Sequence, residues 1–322
     1  MSLMDVHSDV VDRFRRLSAS GRMGHAYLFT GPHGTGKMQT ALAVAQLVNC
    51  EDVSGGAPCG VCASCRKITS GNHPDIHILA LLEDENAIKI AQAKEMIQRT
   101  AFKAYEARVK VFIVRDADLL TTEAVNSLLK TLEEPAPNTL MLLTTAVPEA
   151  CPDTIKSRCH VIPFFSYPLN RVAQALREEG VAQDTAAFLA FYTDGCLGRA
   201  RQLAKEDMGL RKNQWINEFF SSGNNEDFLK GLASDRPSAV EALTVLLSFV
   251  RDAVLLKSGS APADCAHQDR LQDIRVLAGR PLKELSAMAG QIVRARKLIN
   301  ENLNAKMALS LLKERVHSLW DI

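Results

Sequence analysis

The sequence lacks any long apolar run and any excess of one charge. It has 38 Lys and Arg residues against 37 Asp and Glu residues, so its formal net charge is +1. A run of about 18 apolar residues, which would indicate a membrane-spanning helix, does not occur. No basic segment leads into an apolar one near Met1, as it would in a secretory signal. We therefore expect a cytoplasmic protein with no membrane contact, and the balanced charge does not favour an autonomous nucleic-acid binder.

Aromatic residues are also few, at 6% of the chain, and the sequence has neither an internal repeat nor a low-complexity tract. A composition of 47% hydrophobic and 23% charged residues is that of an ordinary globular protein. At roughly 100–200 residues per domain, 322 residues predict two or three domains. The eight cysteines indicate a metal site or free thiols, because a reducing cytosol disfavours disulfides.

The first half of the chain alternates strand-like and helix-like segments. Alternation of this kind predicts an α/β domain with a mainly parallel sheet and helices on both faces. Thr121 is the predicted N-cap of one helix, and Pro135 is the predicted stop after it. The predicted strands are residues 26–30, 109–114 and 140–145, and the predicted helices are 41–48 and 121–134.

Strand signals end near residue 166, and the remainder of the chain has helical patterns only. We predict three domains, an α/β domain at 1–166 and all-α domains at 167–207 and 208–322. Apolar stripes in the last segment indicate helix packing, either within the domain or between subunits.

A phosphate-binding loop is predicted at residues 31–37, where Gly31, Gly34, Gly36 and Lys37 fit the pattern G-x-x-x-x-G-K. The loop follows a predicted strand and precedes a predicted helix, which is the context that the motif requires. Glycines let backbone N–H groups surround phosphate oxygens, and the helix N-terminus favours their negative charge.

The magnesium-binding positions beside this loop are altered. The position after Lys37 needs a hydroxyl, but Met38 offers a thioether, a poor ligand for a hard cation. In the usual register Arg115 replaces the second metal ligand and Asp116 the water-activating acid; after a shift, Asp116 or Asp118 serves as ligand. We therefore predict a chain that does not hydrolyse ATP and whose binding of ATP or ADP is doubtful.

Four cysteines form a predicted metal site with the spacing C-x₈-C-x₂-C-x₂-C. Cys50, Cys59, Cys62 and Cys65 can surround one tetrahedral Zn²⁺ as thiolates. Four protein ligands leave no open position, so the predicted zinc is structural; the alternative is a set of unliganded thiols. The scattered cysteines are interpreted as small buried residues: Cys151, Cys159, Cys196 and Cys265.

Arg158 lies in the sequence Ser157-Arg158-Cys159, thirteen residues beyond the predicted strand that ends at Thr145. An arginine after a core strand of a P-loop domain can stabilise charge on a transferring phosphoryl group, also in the site of another subunit. The competing interpretation is an ordinary surface salt bridge.

Together these residues resemble the bacterial clamp-loader family of AAA+ proteins, in its delta-prime branch. The resemblance covers most of residues 25–163. The resemblance rests on several segments: His25-Ala26-Tyr27-Leu28-Phe29, the phosphate loop, the four cysteines, Asn72-His73-Pro74-Asp75, Asp116-Ala117-Asp118, Asn126 to Pro135 and Ser157-Arg158-Cys159.

The resemblance implies a RecA-like AAA+ core with a zinc knuckle, a helical lid and a helical collar. It also implies a five-membered ring with gamma/tau-type motor subunits and a delta-type subunit, within a DNA polymerase III holoenzyme. Such a ring places a sliding clamp on primed DNA. Arg158 would then be an arginine finger directed at the ATP site of the adjacent motor subunit.

Alternative interpretations remain at this point. One is an ATP-hydrolysing motor subunit of the gamma/tau type, and another is a zinc-knuckle protein that binds nucleic acid directly. Thr144 or Thr145 would correspond to the first nucleotide sensor of the family, and Arg199 to a displaced second one. A basic stretch is interpreted either as a contact for DNA phosphates or as a solvated helix face: Lys94, Arg99, Lys103, Arg108 and Lys110.

Overall fold

The computed structural model divides the chain into two compact units. The first comprises residues 1–167 and 196–198, and the second comprises 168–195 and 199–322. The lid-to-collar boundary near residue 208 stays a prediction, because both segments belong to the second unit. The structure describes residues 7–53, 56–82, 85–220, 225–301 and 303–320.

A five-stranded parallel sheet forms the centre of the first unit, in the order β2-β3-β4-β1-β5. The predicted parallel sheet is confirmed, and its order with a phosphate loop after β1 agrees with the AAA+ fold that the resemblance implied. β1 and β4 are neighbours whose connections run in opposite directions, toward β2 and toward β5, and open α/β sheets generally bind ligands at such a switch point. The strands are β1 (Ala26–Thr30), β2 (Ile76–Leu79), β3 (Lys110–Val114), β4 (Thr139–Thr145) and β5 (His160–Pro163).

Successive residues of the central strands point into two different hydrophobic clusters, one on each face of the sheet. Tyr27 and Phe29 belong to one cluster, whereas Ala26 and Leu28 belong to the other. Because both faces are covered, these strands are apolar except at their ends, which is why the sequence revealed them. The covering helices are α1 (Ser8–Ala19), α2 (Lys37–Asn49), α3 (Ala63–Thr69), α4 (Ile90–Ala101), α5 (Thr122–Glu133) and α6 (Asp153–Lys156).

The ends of α5 follow the predicted signals. The Thr121 side chain accepts a hydrogen bond from the Ala124 N–H, as an N-cap does, and the helix stops two residues before Pro135. By contrast, α1, β2 and β5 were not predicted. The two missed strands are the edges of the sheet, and their exposed positions break the apolar run.

The second unit is entirely helical in its described part, as predicted. Within the described residues, no helix combines the length and apolarity needed to cross a membrane. The helices are α7 (Leu169–Glu178), α8 (Gln183–Tyr192), α9 (Leu197–Lys205), α10 (Met208–Phe220), α11 (Glu226–Ser234), α12 (Arg236–Lys257), α13 (Leu271–Ala278), α14 (Leu282–Asn300) and α15 (Ala305–Trp320).

A buried ion pair crosses the interior of this unit. Lys212 of α10 is 1% exposed, and its Nζ lies 2.6 Å from each carboxylate oxygen of Asp269. The ammonium also lies over the ring of Phe188, 4.8 Å from its centroid. Burial lowers the pKa of Lys212 and the carboxylate of Asp269 opposes that shift, so the pair keeps a charge in an apolar interior.

We expect Asp269→Ala to lower the free energy of unfolding by about 3–5 kcal/mol, because it leaves a buried ammonium unpaired. Asp273→Ala is the matched control, since Asp273 pairs with Arg270 at the surface and should contribute less than about 1 kcal/mol. Urea unfolding of the full chain measures both values. Equal losses in the two variants would contradict the role assigned to Lys212.

Candidate functional site

The phosphate loop begins at a tight backbone crossing. The Gly31 N–H donates to the Thr145 carbonyl at 3.2 Å, which joins the end of β1 to the end of β4. A Cβ at Gly31 would lie 2.1 Å from the Phe164 carbonyl oxygen, and φ is 143°, so only glycine fits. Gly34 and Gly36 have φ of 80° and 84°, which turns the chain into the N-terminus of α2.

Lys37 is buried and directs its ammonium at its own loop. Nζ donates to the carbonyl oxygens of Gly31 at 2.5 Å and Pro32 at 2.7 Å. Burial lowers the pKa of Lys37, whereas the nearby carboxylates of Asp116 and Asp118 raise it. A phosphate group would have to replace these two carbonyls as the partner of the ammonium.

Met38 and Arg115 stand at the metal-binding positions in the usual register of the motif, and both side chains make other contacts. Met38 packs partly buried against the hydrophobic cluster under α1 and α2. Arg115 directly follows β3, is 60% exposed, and lies 3.4 Å from the carboxylate of Asp116. Neither a thioether in a core nor an exposed guanidinium supplies the oxygen ligand that Mg²⁺ requires.

Two threonine hydroxyls fix the acidic turn that follows β3. Thr144 Oγ1 accepts from the Asp116 N–H at 3.1 Å, and Thr145 Oγ1 donates to Asp118 Oδ1 at 2.6 Å. Asp116 has φ of 56°, a left-handed conformation that Asp tolerates better than most residues. Through these hydrogen bonds both threonines stabilise the turn. A nucleotide-sensor role for either one stays a prediction.

Residues 196–198, which belong to the same unit, also contact the phosphate loop. The Gly198 N–H donates to the Gly34 carbonyl at 3.0 Å, and a Cβ on Gly198 would lie 3.1 Å from that oxygen. Arg199 belongs to the second unit, so its predicted sensor role stays untested.

The four predicted cysteines form one cluster, in which the Sγ atoms lie within 4.8 Å of one another. Tetrahedral zinc–thiolate bonds of 2.3 Å place sulfur atoms about 3.8 Å apart, so this donor set fits such an ion. Cys59, Cys62 and Cys65 donate their N–H groups to the Sγ atoms of Cys50, Cys59 and Cys62. A hydrogen bond from the Glu51 backbone is the main cause that lowers the pKa of Cys62 to about 7.

The cluster is fastened to the layer of helices beside the sheet. Cys50 directly follows α2, and Cys62 is the N-cap of α3. From the middle of α2, Gln46 donates to the Cys65 carbonyl at 3.1 Å and to the Thr69 hydroxyl at 2.8 Å. The site is therefore part of the packed unit, and the phosphate loop lies at the opposite end of α2.

Arg158 lies apart from both sites, between α6 and β5. Its Nε donates to Glu133 Oε1 at 2.6 Å, its Nη2 contacts the same oxygen, and its Nη1 donates to the Thr154 carbonyl and the Ser157 hydroxyl. The side chain is 32% exposed. The structure thus shows a salt bridge within this chain, and a role in another subunit stays a prediction.

Two buried charges at the starts of the neighbouring strands β2 and β3 were missed by the sequence interpretation. The carboxylate of Asp75 accepts the N–H groups of Tyr105, Glu106 and Ala107, each at 2.8 Å. Lys110 donates to the carbonyls at the end of α4, those of Thr100 and Phe102. Asp75 was noted as part of Asn72-His73-Pro74-Asp75, but its partners lie 30 to 32 residues away.

These contacts change the interpretation of the basic stretch. Lys110 is buried and is therefore not available to a phosphate, whereas Arg99 is exposed and makes a surface pair with Glu95 at 2.9 Å. Lys103 and Arg108 are exposed. Burial thus removes only Lys110 from the stretch; for the exposed members, including Lys94, a contact with DNA phosphates and a solvated helix face both stay predictions.

Comparison with known proteins decides the family. Residues 6–167 match the family described as DNA polymerase III, delta subunit, and residues 208–313 match its C-terminal counterpart. DNA polymerase III subunit delta' of Bacillus subtilis is 30% identical over 296 residues, which are 88% of each chain. The chain belongs to the delta-prime family. In that family the two matched segments account for the α/β unit and for most of the helical part beyond residue 208.

The delta-prime chain is also similar to gamma/tau subunits, but over a shorter stretch. DNA polymerase III subunit gamma/tau of Mycobacterium tuberculosis is 34% identical over 173 residues, 52% of this chain and 30% of the relative. The tau subunit of Escherichia coli is 32% identical over 192 residues, 58% of this chain and 29% of the relative. The chain therefore spans less than a third of the gamma/tau proteins.

We expect Asp75→Asn to lower the free energy of unfolding by about 1–3 kcal/mol at pH 7, because it replaces one of the two oxygens that accept the three N–H groups by an NH2 that cannot accept. Burial alone would raise the pKa of Asp75, but these donors lower it overall. Its contribution is therefore present above the unfolded pKa of about 3.9 and is lost as the pH falls through the folded value. Urea unfolding should show wild type and variant converging below about pH 4.

The surface variant Asp12→Asn is the control for this comparison, since Asp12 makes only an exposed pair with Arg15. A difference between wild type and Asp75→Asn that stays constant from pH 7 to pH 3 would rule out the ionised carboxylate as its cause.

Proposed function

We propose that this delta-prime family member is a subunit of a DNA polymerase III clamp loader that completes the ATP site of a neighbouring motor subunit without hydrolysing ATP itself. The observation that carries the proposal is an intact phosphate loop followed by Met38, together with Arg115 directly after β3, where the usual register expects a metal ligand. Family membership supports the place in the loader, and the partly exposed Arg158 supports the contribution to a neighbour.

The chemistry of the loop supports the absence of hydrolysis. Phosphoryl transfer to water needs Mg²⁺ between the outer phosphates, held by a hydroxyl and a carboxylate. Met38 provides no oxygen and Arg115 adds a positive charge where a cation should bind. The ammonium of Lys37 donates to two carbonyls of its own loop, which a bound phosphate would have to displace.

The proposed partners follow from the family. Gamma/tau-type motor subunits and a delta-type subunit would share a five-membered ring with this chain. Through that complex the chain would act on a sliding clamp and on primer-template DNA. Arg158 would enter the ATP site of the adjacent motor subunit and stabilise the charge that develops during phosphoryl transfer.

One observation favours a second candidate, a motor subunit of the gamma/tau type that hydrolyses ATP. The carboxylates of Asp116 and Asp118 lie close enough to Lys37 to raise its pKa, so acidic groups are present near the loop. Magnesium-dependent ATP turnover by the isolated chain would support this candidate and contradict the first.

We expect Arg158→Ala in this chain to lower ATP hydrolysis by a reconstituted loader about tenfold or more, with assembly unchanged. Hydrolysis would be measured with clamp and primed DNA present, and assembly by gel filtration. Arg16→Ala, which removes an exposed arginine from α1, is the matched control. An undiminished rate in the assembled Arg158→Ala complex would remove the finger from the proposal and leave a scaffold role.

We further propose that the four-cysteine cluster holds one structural Zn²⁺. Bound there, zinc would supply a fixed tetrahedral crosslink between the end of α2 and the start of α3. The four sulfurs already converge, and N–H groups directed at the Cys62 sulfur lower its pKa toward the thiolate form that zinc needs. Burial raises the pKa of Cys50 and Cys65, a shift that bound zinc would have to overcome.

We expect Cys62→Ser to lose one equivalent of zinc and to lower the free energy of unfolding by roughly 2–4 kcal/mol, because one of the four metal ligands is removed while serine can still cap α3. Metal analysis and thermal unfolding measure the two effects. Cys265→Ala is the control, since that buried cysteine lies in the second unit and should retain the zinc. Loss of loader activity by a folded Cys62→Ser chain would show that the site is more than structural.

A further inference from the structure

The guanidinium of Arg158 is held in a conformation that uses most of its hydrogen-bonding capacity. We propose that Glu133 is a latch, a positioning residue that retains Arg158 until a neighbour's nucleotide draws it away. This inference rests on the proposed function of Arg158 as a finger. The inference adds that the Glu133 carboxylate competes with the neighbour's nucleotide for Arg158. The arginine finger would then engage only when the nucleotide displaces that carboxylate.

The donor count supports retention. An arginine has five N–H groups. Nε commits one to Glu133 Oε1, Nη1 donates to Thr154 and Ser157, and Nη2 contacts the same Glu133 oxygen. Arginine commonly grips a phosphate with two N–H groups at once. From the conformation seen here, at least one internal contact must be released before such a grip can form.

Glu133 is the partner best placed to be released. The Thr154 carbonyl belongs to the backbone of α6, and Ser157 is the sequence neighbour of Arg158. Glu133 contacts Arg158 only through side chains, and these are 48% and 32% exposed. An ion pair with such exposure is weak, so the greater charge of a nucleoside triphosphate can displace the carboxylate.

The position of Glu133 is set by the rest of α5. Leu128 and Leu132 are buried in the sheet-facing cluster, so the last turn of the helix cannot rotate freely. Glu133 is the final residue of that helix, where the helix dipole disfavours a negative charge. The carboxylate therefore gains little from its own helix, and Arg158 is its stabilising partner.

The test is Glu133→Gln in this chain, which keeps the side-chain shape and removes the charge. We expect the KM for ATP of the reconstituted loader to fall about two- to fivefold, the factor associated with losing a partly exposed ion pair. The kcat at saturating ATP should stay unchanged, because Arg158 reaches the same final position. Glu134→Gln is the matched control, since it removes the same charge one residue further on and should leave KM unchanged.

A second measurement uses the isolated chain and does not depend on the loader. The side-chain Nε–H signal of Arg158, assigned by its disappearance in Arg158→Lys, should exchange with solvent several-fold faster in Glu133→Gln than in wild type. Unchanged exchange would overturn the latch, because Glu133 would then not hold the guanidinium in solution.

The outcomes separate the latch from the finger. If Arg158→Ala lowers hydrolysis but Glu133→Gln leaves KM unchanged or raises it, the finger stands and the latch is wrong. If Glu133→Gln instead lowers kcat, Glu133 orients the finger for catalysis, and the latch is again wrong. If Arg158→Ala leaves the rate unaltered, the proposed finger fails and the latch fails with it.

Discussion

The close approach of two backbones at Gly31 is the constraint on which the first unit depends. There the chain leaves β1, bonds to the end of β4 and passes the Phe164 carbonyl with no room for a side chain. That crossing sets the path of the phosphate loop and the start of α2. Because α2 ends at Asn49, directly before Cys50, the same crossing also determines where the cysteine cluster begins.

This dependence explains how a phosphate loop can persist where hydrolysis is not expected. The glycines are required by the fold itself, since they close the connection between β1 and α2. The metal-binding positions carry no such requirement: Met38 contributes to the core, and Arg115 extends into solvent beside Asp116. The residues at the metal-binding positions can therefore change while the glycine loop beside them keeps its conformation.

The sequence predicted those parts whose residues interact with near neighbours or with a uniform environment. Central strands are buried on both faces and form apolar runs, and the cysteine spacing alone brought four sulfurs together. Edge strands β2 and β5 were missed because one side of each is partly exposed. The pairing of Arg158 with Glu133 spans 25 residues and that of Asp75 with Tyr105 spans 30, and no local pattern records such contacts.

Cys62 is both a member of the cysteine cluster and the N-cap of α3, and this double role affects how the region folds. Its sulfur accepts the Cys65 N–H and so begins α3, a helix of seven residues that is too short to persist alone. α3 in turn carries Lys67, which pairs with Glu106 on the loop held by Asp75. The state of the Cys62 sulfur therefore affects the order of α3 and, through Lys67, the order of the loop that contains Glu106. The region should open and close as a single cooperative unit in native-state hydrogen exchange, not residue by residue.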